Sequence, residues 1–135
     1  MRKVLIAAIV ALALAAAPAA SAMTATATFS NGTLVRYETY ADLYITVTAS
    51  CSRASYTNGI IVGVNVTQGP YGAYEIEPWD WFVCDGTSQT ATFTLEADAH
   101  MHPGRATATA VFVDDGYGIE ATVTVTQTVK LRPSQ

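Results

Sequence analysis

Asp42-Leu43-Tyr44-Ile45-Thr46-Val47-Thr48-Ala49-Ser50-Cys51 decides the fold. Leu43, Ile45, Val47, Ala49 and Cys51 share one parity, and Thr46, Thr48 and Ser50 share the other. A period of two marks a pleated strand with one buried and one wet face. Its β-branched residues suit such a half-buried pleat. The same pattern continues on both sides. Upstream, Thr24 to Phe29 reads as a short strand ended by a Ser30-Asn31-Gly32 turn, and Leu34 to Tyr40 as a weaker second strand. Downstream, after a loop at Ser52–Gly59, Ile60, Val62, Val64 and Val66 share a face in a strand running to Gln68.

Gly69-Pro70-Tyr71-Gly72 is a turn, and Ala73 to Glu77 a short edge strand interrupted by Pro78. Trp79 to Cys84 is strand-like and stops at Asp85-Gly86. Thr87 to Ala97 alternates again, and Asp98 to Gly104 is a loop. Arg105 to Val113 and Ile119 to Leu131 form the clearest hairpin, around Asp114-Asp115-Gly116-Tyr117-Gly118. Asp and Gly there are what a hairpin turn asks for, and the spacing of an EF-hand calcium loop is missing. About seven or eight short strands with frequent turn signals predict an all-β domain. The expected architecture is an antiparallel, immunoglobulin-like two-sheet sandwich. A closed barrel would produce the same alternation.

The first twenty-two residues read differently. Arg2 and Lys3 precede an unbroken apolar run from Val4 to Ala17, and Pro18 is followed by Ala20-Ser21-Ala22. This is the pattern of a secretory signal peptide cleaved after Ala22, so the expectation is an exported protein. Removing 22 of the 135 residues leaves 113, one domain beginning at Met23. Loss of Arg2 and Lys3 takes the formal charge from −4 to −6. An acidic chain of this kind repels phosphate backbones, and with no Lys/Arg cluster read as a local exception it is expected to be a poor nucleic-acid partner. No other apolar run approaches the ~20 residues of a membrane-spanning helix.

Export permits a disulfide between the chain's 2 cysteines, Cys51 and Cys84. They are too far apart in sequence for metal-ligand spacing. Trp79 and Trp81 precede Cys84, and a tryptophan packed on a disulfide is a feature of immunoglobulin domains. Here both lie near the second cysteine, so the expectation is a related sandwich rather than a true immunoglobulin domain.

Candidate chemistry is sparse. In an extended segment His100 and His102 would point the same way, with Asp98 at the same parity, as the start of a Cu or Zn site. Without a third firm ligand they read as a polar loop, and no metal or other cofactor is expected. Glu75, Glu77, Asp80 and Asp85 are close in sequence, and paired carboxylates serve glycoside hydrolysis. On a short, turn-rich segment they read as a solvated acidic edge. The G-x-S-x-G, H-E-x-x-H and phosphate-loop motifs are missing, so no enzyme is expected. Tyr71, Tyr74, Trp79 and Trp81 are the aromatic residues singled out as a binding patch for sugar rings or a protein partner. Trp79 and Trp81 share a parity opposite to Cys84, so a regular strand cannot turn all three inward. Asn31-Gly32-Thr33 and Asn65-Val66-Thr67 match glycosylation acceptors, but an Ala-rich, bacterial-looking leader argues that neither is used.

Thr46-Val47-Thr48-Ala49-Ser50-Cys51, Val64-Asn65-Val66-Thr67-Gln68, Cys84-Asp85-Gly86-Thr87, Gln89-Thr90-Ala91-Thr92-Phe93-Thr94, His102-Pro103-Gly104-Arg105-Ala106 and Thr126-Gln127-Thr128-Val129-Lys130-Leu131 together resemble a group of small secreted actinobacterial proteins. That group is similar in its signal peptide, cysteine pair, P-G-x-A turn and terminal Val-rich strand. The resemblance implies export and a β-sandwich, and no catalytic residue. The function expected is a secreted non-catalytic domain that binds a protein or glycan or belongs to the cell envelope. Alternatives are a carbohydrate-binding-module-like protein, or an inhibitor of an extracellular hydrolase presenting the Ser52–Gly59 loop.

Overall fold

The computed structural model describes residues 23–53, 60–75, 78–114 and 121–134. The signal-peptide reading of residues 1–22, most of the Ser52–Gly59 loop, Glu77 and the Asp115–Gly118 turn lie outside the described residues. Nine strands follow in order: β1 (Met23–Phe29), β2 (Gly32–Arg36), β3 (Ala41–Arg53), β4 (Ile60–Gln68), β5 (Tyr71–Glu75), β6 (Trp79–Phe82), β7 (Gln89–Ala97), β8 (Gly104–Asp114) and β9 (Ala121–Pro133). No helix occurs among the described residues.

The two-sheet antiparallel sandwich is not what forms. The strands close into a seven-stranded mixed barrel, β3-β2-β9-β8-β4-β5-β7, with β7 returning to β3. Two strands lie off this ring: β1 extends the β2 side of β3, and β6 pairs with β4. Closure happens at two seams. Along one, β2 runs parallel to β9, with Gly32 opposite Leu131 and Leu34 opposite Pro133. Along the other, β5 pairs antiparallel with β7, with Ala73 opposite Ala97 and Glu75 opposite Leu95. The physical reason for the correction is simple. Alternation records which face of a strand is dry, and it carries nothing about whether the last strand of one layer meets the next. The segment expected to be an edge, β5, has a neighbour on each side.

Parity is respected along the long strands, while β6 breaks it: Trp79 and Phe82 are both buried where its pairing with β4 shifts register. Ala41, Leu43, Ile45, Val47, Ala49 and Cys51 of β3 line the interior, as do Ile60, Val62, Val64 and Val66 of β4. Ala108 and Ala110 of β8 lie beside Val66 and Val64 of β4, so small and large residues pair between adjacent strands. An aromatic cluster fills one part of the core. Trp79 meets Phe82 and Phe93 edge-on at 4.9 and 5.9 Å, and Phe82 meets Phe112 at 5.7 Å.

The disulfide joins Cys51 to Cys84 across 4.8 Å between Cα atoms, and both residues are buried. The Gly86 amide donates to the Cys51 carbonyl beside it. The covalent link therefore fastens the end of β3 to the segment between β6 and β7.

Two glutamines occupy apolar parity, and each mends a place where the ladders stop. Gln127 lies between Val125 and Val129 on the inner side of β9. It accepts from the Phe29 amide at 3.0 Å and donates to the Phe29 carbonyl at 3.1 Å, so its side chain pairs with β1 as a backbone would. Gln68, at the end of the inner row of β4, accepts from the His102 amide and donates to the carbonyls of His102 and Arg105. Asn31 plays a similar part from the β1–β2 link, accepting from the Lys130 amide at 3.1 Å.

Candidate functional site

The outward face of β2, β3, β7 and β5 carries a continuous row. Val35 is opposite Asp42, Asp42 opposite Glu96, and Glu96 opposite Tyr74. One step along, Thr33, Tyr44 and Thr94 form the next row. The β2–β3 turn closes this face at one end, with the Tyr37 amide donating to the Tyr40 carbonyl. That turn brings the Tyr37 and Tyr40 rings into a stack, centroids 4.6 Å apart and planes 18° apart. Both are exposed, at 46% and 51%, and Tyr74 is exposed at 59%. Desolvation among these neighbours raises the Tyr37 phenol above its ordinary range, with Tyr44 and the Asp42 carboxylate adding to the effect.

The Tyr74 ring lies back along its own strand. A Cβ at Gly72 would lie 2.7–2.9 Å from its ring, so the ring lies over the glycine two positions back. An aromatic laid across a strand glycine covers backbone that has no side chain of its own. Tyr44 and Tyr74 sit two strands apart, roughly 10 Å by strand spacing. The result is a face of tyrosines with Asp42 and Glu96 among them.

The residues singled out from sequence are distributed differently. Trp79 is 7% exposed and belongs to the core cluster. Trp81 lies on β6, and its side chain is outside the described residues. Tyr71 and Tyr74 take opposite parities on β5, and Tyr71 is half-buried, stacked on His100 at 5.1 Å. Of the three whose side chains are described, Tyr74 lies on the tyrosine face. The signal for Tyr37, Tyr40 and Tyr44 was present as three tyrosines within eight positions, but their convergence depends on a tight turn that sequence spacing did not specify.

The Asp98–His102 segment is a turn, not an extended strand: the Met101 amide donates to the Asp98 carbonyl. Met101 is fully buried between the two histidines. The Asp98 carboxylate accepts from the His100 amide at 2.8 Å and contacts His100 Nδ1 at 2.9 Å. These bonds from His100 hold its carboxyl below the usual range. Arg36 donates to the Ala99 and Met101 carbonyls, which pins the turn to β2. Among the described residues, no three His, Cys, Asp or Glu side chains gather as metal ligands.

The acidic segment is dispersed as well. Glu75 accepts from the Val64 amide at 3.1 Å, where β4 passes from β5 to β6. Asp85 accepts from the Thr87 hydroxyl and amide, which lowers its pKa. The Asp80 side chain is outside the described residues. Of the two acceptor asparagines, Asn31 is engaged with β9 and Asn65 is half-buried on β4.

No protein-family model matches the chain, and no curated protein matches it.

Proposed function

We propose that this protein is an exported, non-catalytic binding domain that takes a sugar-bearing ligand on the tyrosine face of β2, β3, β7 and β5. The observation that carries this is the exposed Tyr37–Tyr40 stack beside Asp42, Glu96 and Tyr74. Aromatic faces bury the apolar faces of pyranose rings, and carboxylates accept from their hydroxyls. The barrel and its short turns hold these groups without an ordering cost at binding, which favours recognition over a flat, rigid surface. A buried disulfide agrees with an oxidising compartment.

The test is retention on insoluble polysaccharides, comparing native protein with Tyr37→Ala/Tyr40→Ala and with Tyr74→Ala. The expected result is binding to at least one neutral polysaccharide, weakened about tenfold or more in the double variant, which corresponds to about 1.4 kcal/mol. Equal retention of native and double-variant protein would remove the tyrosine face from any glycan role.

A further inference from the structure

The barrel builds a cationic cluster that the linear sequence conceals. Arg105 on β8 is directly opposite Lys130 on β9, and Arg132 lies two residues further along the same outward face. All three side chains are exposed. They are three of only 7 Lys and Arg residues in a chain of net charge −4. The Lys130 amide is given to Asn31 on the far side of β9, so it exchanges no hydrogen bond with Arg105. Arg105 and Lys130 therefore form the narrow type of antiparallel pair, with Cα atoms about 4.5 Å apart. Like charges so placed oppose folding rather than assist it.

Among the described residues, no acidic side chain lies opposite them in the ladder. The outward positions of β8, β9 and β2 carry Thr and Val, with no Asp or Glu among the described residues. Asp114 lies at the other end of β8, nine positions from Arg105, roughly 30 Å by strand rise. Among the described residues the one ion pair is His100 with Asp98. Two shallow grooves meet at Lys130: one of 720 Å³ beside Thr33, Arg132 and Pro133, the other of 460 Å³ beside Asn31, Arg105 and Thr128.

We infer that Arg105, Lys130 and Arg132 form a binding site for an anionic polymer bearing phosphate or sulfate groups. Arginine forks match tetrahedral oxyanions, lysine adds a point charge, and the Thr33 and Thr128 hydroxyls flank the grooves as further donors. A chain of closely spaced anions satisfies all three cations at once, which a single carboxylate would not. The site adjoins the tyrosine face, since Thr33 borders both and lies opposite Arg132, but its charged groups are different and it does not depend on a glycan being bound there.

Calorimetric titration with inorganic polyphosphate, dextran sulfate and neutral dextran tests it. Polyphosphate and dextran sulfate as separate arms distinguish phosphate from sulfate as the group recognised. Native protein is expected to bind at least one polyanion and not neutral dextran at this site. Three released counterions give a slope of about −2 in log K against log salt. Arg105→Gln/Lys130→Gln is expected to abolish the binding while the melting temperature stays level or rises, since a repulsion is removed. Arg132→Gln alone is expected to weaken it severalfold. No binding by native protein at low salt, or unchanged binding in the double variant, would overturn the site.

Discussion

Where β2 meets β9 the strands run parallel over a short ladder that Gly32 lets approach closely, and beyond its end side chains take over, Asn31 bonding β9 and Gln127 bonding β1. Where β5 meets β7 the strands run antiparallel, and an ordinary ladder continues into the Asp98 amide donating to the Gly72 carbonyl. The outward chemistry differs in step. The first seam presents Lys130 and Arg132, and the second presents Glu96 and Tyr74. Closing a barrel thus did two things here. It closed the ring strands against edge-to-edge pairing, which invites aggregation, leaving β1 and β6 each paired with one strand among the described residues, and it set a cationic surface beside an acidic, aromatic one.

The largest perturbation acts on both seams at once. β3 pairs with β2 on one side and β7 on the other, and the disulfide fastens its end. For a separation of 33 residues the loop-entropy model allows about 3.7 kcal/mol. Cys51→Ala/Cys84→Ala is expected to lose about 3 kcal/mol in urea unfolding, with amide exchange in β2 and β5 rising together. Exchange rising in one alone would show that the seams open independently.

Gly32→Val should strike the parallel seam only. Its Cβ would lie 2.8 Å from Leu43 Cδ1 and 2.9 Å from Leu131 Cδ2, and overpacking of this kind costs about 2–3 kcal/mol. Thermal unfolding would measure the loss, and exchange at Ala73 and Tyr74 should change less than at Leu34. Gln127→Ala leaves both backbone groups of Phe29 without their partner, for a cost of about 1–2 kcal/mol. Glu75→Ala, which frees only the Val64 amide, should cost less than Gln127→Ala in the same assay.

Acid offers the gentlest test. The Asp98 carboxyl is lowered in the folded state, so it adds stability above its unfolded value of about 3.9 and loses it as the pH falls through the folded value. The amide-capped β2–β9 seam has no such group in its bonds. Between pH 6 and 3, NMR shifts of Gly72 and Ala73 should begin moving below about pH 4, before those of Gly32 and Leu34. Asp98→Asn should flatten that difference, and simultaneous movement in the native protein would contradict it.

Much of this was legible before any coordinates. The inner faces of β3, β4, β8 and β9 follow apolar parity, and the cysteines pair as an exported chain suggests. Gln68 and Gln127 were also visible, as polar residues on dry parity, and such residues must find hydrogen-bond partners. Which partners they find was not, because Phe29 and Gln127 lie 98 residues apart. Trp79 illustrates the same limit: its sequence neighbourhood left it open between an exposed patch and the core, and its ring joined Phe82 and Phe93 inside.

By itself, then, the sequence determined the strand class, the dry face of each long strand and the cysteine pair, because these depend on local periodicity and on residue type. Tertiary structure alone decided that β2 and β5 close a barrel, that Arg105 faces Lys130, and that Tyr37 stacks on Tyr40 near Asp42 and Glu96. Those are products of register between distant strands and of one tight turn, and a period of two is the same whichever strands meet.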